Sequence, residues 1–88
     1  MVFSNRTDKI ERSVKEILAK YSAWRGLPSE ITDDCTLLRD LDMDSLDVVE
    51  AIITLEDEFE VSIPDEDTED LKTVGLVIEY IRKLVDAK

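Results

Sequence analysis

Histidine is absent from this sequence, and with it the side chain that most often acts as a general acid or base near neutral pH. The one cysteine, Cys35, cannot form a disulfide within the chain, and without histidine it lacks the usual partner that activates a thiol. The sequence also contains neither a P-loop nor a dinucleotide-binding glycine motif. We therefore expect no catalytic residues, no Cys/His metal site and no enzymatic activity.

Glycine and proline occur only twice each, which argues against a collagen-like or largely disordered protein. No stretch is apolar enough to span a membrane, and residues 1–13 lack the apolar segment of a signal peptide. A chain of 88 residues, 43% of them hydrophobic, suffices for one small packed domain. We expect a single domain over residues 1–88, monomeric and cytoplasmic, because the cytoplasm is the default for a chain without a signal peptide. Cys35 fits a reducing compartment but is more simply explained as a small apolar filler.

Positive charge is also scarce. The sequence carries 22 acidic and 11 basic residues, and from Asp40 to Asp70 it has fourteen acids and no base. A net charge of -11 argues against binding to nucleic acid or to an anionic membrane surface, because both need clustered cations. The acidic segment predicts protein partners with basic patches instead.

Apolar residues recur at helical spacing in three segments, which predicts an all-α fold: an antiparallel bundle of three longer helices plus one short helix. The first helix is expected to end near Ser22 or Trp24, because Gly26 and Pro28 follow. Its apolar stripe consists of Ile10, Val14, Ile17, Leu18 and Tyr21.

The second helix is expected to begin after Asp44, a good N-cap residue, and to end near Glu58 or Glu60. It carries two apolar stripes, although a three-helix bundle rarely uses both faces of one helix. The stripe assigned to the core is Val48, Ala51, Ile52, Leu55 and Phe59; the second is Leu46, Val49 and Ile53.

Two capping residues organise the remainder of the predicted bundle. Asp65 is expected to cap a short helix that ends near Leu71, and Thr73 to cap the last helix. The apolar stripe of that last helix is Val74, Val77, Ile78, Ile81 and Val85. The long connection over residues 25–43 is expected to lie along the bundle and to add four aliphatic side chains to the core: Ile31, Leu37, Leu38 and Leu41.

The run from Asp40 to Asp44 is Asp-x-Asp-x-Asp, which is the opening of an EF-hand calcium loop. The sixth position of such a loop needs glycine and holds Ser45; the twelfth needs glutamate and holds Ala51. Because both demanding positions fail, we predict no metal site. A calcium-binding or simple interaction module remains as an alternative from a different functional class.

The segment over residues 41–47, Leu-Asp-Met-Asp-Ser-Leu-Asp, is similar to the Leu-Gly-x-Asp-Ser-Leu signature of acyl carrier proteins. The likeness continues at the family's spacing through residues 55–59 and 63–66 and into the last helix, over about residues 8–86. The family's usual glycine is Asp42 here, and aspartate is among the residues that best tolerate a positive φ. Trp24 is a second departure, and we expect it to pack against the end of the bundle.

The resemblance implies a carrier for fatty acid, lipid or polyketide-type biosynthesis. It implies that a phosphopantetheinyl transferase attaches 4'-phosphopantetheine to Ser45, between Asp44 and Leu46, and that the arm holds acyl groups as thioesters. Acyl-transferring and acyl-modifying enzymes with basic docking patches would be the further partners. An aminoacyl or peptidyl carrier is the nearest alternative, and such carriers usually have Gly-Gly-x-Ser-Leu at the arm site.

The second apolar stripe of the second helix is a candidate docking face for these enzymes. Acids surround it, so that it offers apolar burial at its centre and electrostatic steering at its edge. The alternative is that Val49 and Ile53 pack beneath the long connection. The predicted partner-binding residues are Asp44, Leu46, Asp47, Val49, Glu50, Ile53, Glu56 and Asp57.

Overall fold

The computed structural model describes the backbone of residues 5–87 and the side chains of residues 9–87. Within these residues the secondary structure is helical, apart from one isolated β-bridge between Thr36 and Thr73. The helices are α1 (Asn5–Lys20), a 3₁₀ turn (Pro28–Glu30), α2 (Ser45–Phe59), α3 (Asp65–Thr68) and α4 (Val74–Ala87). The predicted all-α fold of three longer helices and one short helix is therefore confirmed.

The direction of the helices follows from a groove at one end of the bundle. Lys9 and Ile10 near the start of α1 line this groove together with Phe59 at the end of α2 and Val85 near the end of α4. The helix α1 thus runs antiparallel to both α2 and α4. The N-termini of α2 and α4 consequently lie at the opposite end of the bundle.

The core lies between the predicted stripes. Its most deeply buried side chains include Val14 and Leu18 of α1, Leu55 of α2, and Val77 and Ile81 of α4, each at most 1% exposed. Helical spacing places these residues on the inner face of each helix, where burial removes their apolar surface from water. The outer members of the stripes are half-buried and pack against the core: Ile17, Tyr21, Val48, Phe59 and Val85.

The connection between α1 and α2 contributes to the core as predicted, with one exception. Ile31, Leu37 and Leu41 are buried, but Leu38 is 63% exposed. Leu38 was expected in the core and that prediction is wrong. Leu37 takes the inward position, and Leu38, the next residue, points away from the bundle. Met43, at the end of the connection, is also buried, although it was not among the predicted core residues.

Backbone hydrogen bonds fasten the connection to the start of α4. Leu37 N–H donates to Lys72 O (3.0 Å), Val74 N–H donates to Cys35 O (2.9 Å), and Gly75 N–H donates to Asp33 O (2.9 Å). Glycine at position 75 allows this close approach, because a Cβ there would lie 3.0 Å from the Cβ of Asp33 and 3.2 Å from its carbonyl oxygen, which is tighter than an ordinary contact. The connection is therefore held by residues about 40 positions further along the chain.

The ends of the helices differ slightly from those expected. The helix α1 ends at Lys20, and the hydroxyl of Ser22 donates to Ala19 O (3.1 Å) in the turn that follows. For α3 the N-cap is Pro64, which makes no side-chain cap, and the helix ends at Thr68 rather than near Leu71. The predicted cap at Thr73 is confirmed, since its hydroxyl accepts the N–H of Leu76 (3.2 Å).

Candidate functional site

The start of α2 is fixed by two aspartates that cap it reciprocally. The Oδ1 atom of Asp44 accepts the N–H of Asp47 (2.8 Å), and the Oδ2 atom of Asp47 accepts the N–H of Asp44 (3.2 Å). This capping box satisfies two backbone donors that a helix start would otherwise leave unpaired. Ser45 is therefore held as the first residue of α2, as the sequence predicted.

The residues just before the cap turn the chain outward. Leu41 and Met43 are buried, while Asp42 between them is exposed and adopts the left-handed conformation (φ 54°). Aspartate is among the residue types that tolerate this conformation best, so it can replace the family's usual glycine here. Met43 N–H donates to Leu37 O (3.0 Å), which ties the chain to the connection just before α2 begins.

Ser45 is exposed and lies in the first turn of α2. The N-terminus of a helix carries partial positive charge from its aligned peptide dipoles and its free N–H groups. A phosphodiester on the Ser45 hydroxyl would thus lie where the helix favours an anion. Leu46, the next residue, is 63% exposed and stands beside it on the surface.

The second apolar stripe of α2 is on the surface. Leu46, Val49 and Ile53 are 63%, 51% and 54% exposed. The alternative in which Val49 and Ile53 pack beneath the connection is therefore wrong. Exposed carboxylates at Asp44, Glu50 and Asp57 belong to the same helix region. We call the surface formed by Leu46, Val49, Glu50, Ile53 and Asp57 the α2 face.

Two of the predicted partner-binding acids have a structural role that the sequence analysis missed. Asp47 is half-buried and completes the capping box at the start of α2. Glu56 is half-buried and accepts the N–H of Ile63 (2.7 Å), so that it fixes the chain after the helix. The spacing of Asp44 and Asp47 was a signal for the first role. The contact of Glu56 spans seven residues across a turn and left no such signal.

The edge of the α2 face is bordered by the end of α1. The hydroxyl of Thr54 donates to Tyr21 Oη (2.8 Å) and lies 3.0 Å from the carbonyl oxygen of Glu50. The ammonium of Lys20 lies 5.6 Å from the centre of the Tyr21 ring. The positive charge of Lys20 therefore lies at the end of α1, next to the acidic helix α2.

Comparison with known proteins relates this geometry to a family. The family model described as the phosphopantetheine attachment site matches residues 12–81, which include Ser45 and the whole of α2. The chain belongs to the acyl carrier protein family. It is 60% identical over 68 residues to an acyl carrier protein of Clostridium perfringens, covering 77% of this chain and 87% of the relative.

Two further relatives agree with this assignment. The meromycolate extension acyl carrier protein of Mycobacterium leprae is 53% identical over 77 residues, covering 88% of this chain and 65% of that relative. The solved structure of the acyl carrier protein from Enterococcus faecalis matches with a TM-score of 0.74 at 32% identity, covering 89% of this chain and 96% of that one. The protein is thus an acyl carrier with a phosphopantetheine arm, and its family is one of carriers rather than catalysts.

Aliphatic side chains of α2 and α4 pack together with Leu71 in the core of this acyl carrier. Ile52, Leu55, Leu71 and Ile78 are all buried in one continuous cluster. Two surface grooves, of about 320 and 290 Å³, lie elsewhere, beside Leu27 and beside Phe59 respectively. An acyl chain that entered between these four residues would have to move them apart.

The short helix α3 contributes no buried residue of its own. One side-chain contact joins it to α4: the hydroxyl of Tyr80 donates to Asp67 Oδ2 (2.5 Å). This hydrogen bond, together with burial and the negative charges of Asp67 and Glu66, raises the pKa of Tyr80 to about 12. The neutral phenol is therefore the form that the folded protein stabilises.

The part of the chain that the structure describes has neither a candidate metal site nor a helix that could span a membrane. Between residues 9 and 87, no three His, Cys, Asp or Glu side chains are grouped so as to hold a metal ion. Among the helices of residues 5–87, none has the length and apolar character needed to cross a membrane.

Proposed function

We propose that Ser45 is the residue that carries the phosphopantetheine arm of this acyl carrier. The observation that supports this most directly is an exposed serine at the first position of a helix whose start is locked by a capping box. In the transfer, the Ser45 oxygen would attack the β-phosphate of coenzyme A and lose its proton. The new serine phosphodiester forms as the bond to the adenosine bisphosphate leaving group breaks.

A phosphopantetheine arm on Ser45 would supply the thiol on which partner enzymes load and unload acyl groups as thioesters. Asp44 and Leu46 flank the attachment site, and the α2 face begins directly beside it. We infer that acyl-transferring and acyl-modifying enzymes dock there through basic patches. Burial of the three exposed aliphatic side chains would stabilise the complex, and the surrounding carboxylates would speed the encounter.

The chain itself would be a single carrier domain over residues 1–88, monomeric and without catalytic activity, working in the cytoplasm. Its place in metabolism would be the synthesis of fatty acids or related long-chain lipids. The names of the relatives from Clostridium perfringens and Mycobacterium leprae support an acyl rather than a peptidyl cargo.

Mass spectrometry after incubation with coenzyme A and a phosphopantetheinyl transferase tests the assignment of Ser45. We expect one phosphopantetheinyl group on the wild-type protein, located on Ser45 by fragmentation, and none on Ser45→Ala. Ser62→Ala, at another exposed serine, is the matched control and should be modified normally. Modification of Ser45→Ala, or a group found on a different residue, would overturn the assignment.

A further inference from the structure

Leu38 is an exposed leucine that cannot reach the core. It is 63% exposed, although Leu37 before it and Leu41 after it are 2% and 1% exposed. A single exposed leucine is common on protein surfaces. Here, however, the side chain stands at the tip of a connection that is otherwise anchored in the core, and the backbone around it is firmly fixed.

The turn that presents Leu38 is closed on both sides by Thr36 and Asp40. The Oδ2 atom of Asp40 accepts the N–H of Thr36 (2.8 Å), and the hydroxyl of Thr36 accepts the N–H of Asp40 (3.2 Å). Leu41 N–H donates to Thr36 O (3.1 Å) across the same turn. These hydrogen bonds fix the turn so that residues 38 and 39 point into solvent. Because the turn is already ordered, a partner that binds there loses little conformational entropy.

The tip lies close to the start of α2. The hydrogen bond from Met43 N–H to Leu37 O places the residue before Leu38 against the residue before Asp44. The Cα atoms of neighbouring residues are 3.8 Å apart, and those of two residues joined by a backbone hydrogen bond are about 5 Å apart. The path from Leu38 through Leu37 and Met43 to Asp44 therefore spans at most roughly 13 Å. An enzyme that covers the start of α2 would therefore also meet the tip.

Arg39 gives the tip a charge opposite to that of its surroundings. It is the one basic residue between Arg25 and Lys72 in the sequence, and it is exposed. The ion pairs found among residues 9–87 involve Lys15 and not Arg39. The carboxylate next to it in sequence, Asp40, is held by Thr36 in the turn. The guanidinium thus faces solvent beside an acidic helix.

We propose that Leu38 and Arg39 form a second docking contact, which rests on the proposed roles of Ser45 and the α2 face. The occupant is the edge of the phosphopantetheinyl transferase surface that covers the start of α2 around Ser45. This edge of the enzyme carries one carboxylate, which pairs with Arg39, and one apolar side chain, which covers Leu38. Both groups lie next to the basic patch that binds the carboxylates of the α2 face. An enzyme whose patch is basic throughout would be repelled by Arg39, so that this tip selects among partners.

Charge reversal separates this proposal from simple electrostatic steering. Arg39→Glu makes the chain more acidic, so steering towards a basic patch alone predicts faster arm transfer. A carboxylate opposite Arg39 predicts the reverse: kcat/KM with the phosphopantetheinyl transferase of the same organism should fall about tenfold, mainly through KM. Lys9→Glu, at the far end of the bundle, makes the same charge change and should leave the rate within about twofold of wild type.

The contribution of Leu38 is tested with a second pair of variants. Leu38→Ala should lower kcat/KM by about fivefold, whereas Leu27→Ala, at a leucine 64% exposed beside α1, should have no effect. The paired acid on the transferase is found by changing the Asp and Glu residues around its basic patch to Lys, one at a time. The transferase variant with the correct acid replaced should restore the rate of Arg39→Glu.

An unchanged or increased kcat/KM for Arg39→Glu would overturn the proposal, as would equal effects of Leu38→Ala and Leu27→Ala. The roles of Ser45 and the α2 face are assessed separately. If wild type is modified on Ser45 and variants of the α2 face are slow while the tip variants are not, only the second contact fails. If the wild-type protein is not modified on Ser45, the proposed function itself fails.

Discussion

Tyr80 and Asp67 form the side-chain hydrogen bond that links the short helix α3 to α4. The carboxylate of Asp67 accepts a hydrogen bond from the Tyr80 hydroxyl (2.5 Å) and thereby favours the neutral phenol over the phenolate. Burial and the negative charges of Asp67 and Glu66 disfavour the phenolate further. The stabilising effect belongs to the protonated tyrosine. The stabilisation is therefore present at neutral pH and is lost when the Tyr80 hydroxyl is deprotonated.

The pH dependence follows from the direction of the shift. The pKa of Tyr80 rises from 10.0 to about 12 in the folded protein, so its contribution to the free energy of unfolding is complete below pH 10 and is lost as pH rises towards 12. We expect Tyr80→Phe to be less stable than wild type at pH 8, and the difference to shrink between pH 10 and 12. Urea unfolding at several pH values measures it.

Tyr21→Phe is the control for that experiment, because its hydroxyl contacts the neutral side chain of Thr54 rather than a carboxylate. Its stability difference from wild type should not follow the same alkaline decline. A Tyr80→Phe difference that stayed constant from pH 8 to pH 12 would contradict the role assigned to Asp67.

At the scale of the element, α2 combines two functions on opposite sides. Its inner side contributes Ala51, Ile52 and Leu55 to the core, and its outer side leaves Val49 and Ile53 in solvent. Exposed aliphatic side chains on a helix that already has a core stripe are available for association without loss of the fold.

The two kinds of contact on the α2 face should affect different rate constants. Glu50→Lys is expected to slow association with an acyl-transferring enzyme about tenfold at low salt and to flatten the dependence on salt, because the carboxylate steers the encounter. Ile53→Ala is expected mainly to speed dissociation, because it removes apolar surface from the interface. Surface plasmon resonance against an immobilised partner enzyme, with salt varied, separates the two rates.

Glu79→Lys provides the charge-matched control, since Glu79 is exposed on α4 rather than α2. It should leave dissociation unchanged and alter association less than Glu50→Lys does. Melting temperatures close to wild type would show that the variants remain folded. If both α2 variants bound with wild-type rate constants, this helix would not be the recognition surface.

Most of the fold could be predicted from local patterns. The helices follow from apolar periodicity, and the start of α2 follows from the Asp44–Asp47 spacing, because a capping box is contained within four residues. The exposed stripe Leu46, Val49 and Ile53 was likewise evident as a surplus of apolar residues on one helix.

The connection between α1 and α2 was less predictable, because distant residues determine its path. Leu37 and Leu38 are the same residue type at neighbouring positions, and nothing local says which one is buried. The backbone bond from Leu37 to Lys72 selects Leu37, across 35 positions of sequence. The hydrogen bond of Glu56 with Ile63 was missed for the same reason, since it depends on how the chain turns after α2.

For the whole molecule, charge is distributed unevenly along the chain. Residues 1–25 contain six bases and three acids, whereas Asp40 to Asp70 contains fourteen acids and no base. Acids at adjacent positions of this segment, as in residues 56–58 and 65–67, lie within the Debye length of roughly 10 Å at 0.1 M salt. Their mutual repulsion opposes folding.

Sodium chloride should therefore raise the melting temperature of the apo protein, measured by circular dichroism between 20 and 300 mM. Asp57→Asn removes one exposed charge from the acidic segment and should raise the melting temperature by about 2 °C at low salt. Glu16→Gln, exposed among the bases of α1, is the control and should not raise it. A melting temperature independent of salt would rule out the repulsion.

The hydrogen bonds between the connection and residues 72–75 also set an order of events during synthesis. The capping box around Ser45 can form as soon as α2 has left the ribosome, because its partners are three residues apart. The connection that leads into that helix acquires its partners only when Lys72, Val74 and Gly75 have emerged. We expect the nascent chain to reach the conformation that a transferase recognises only after the start of α4 has emerged, so that attachment of the arm waits for residues about 30 positions beyond Ser45.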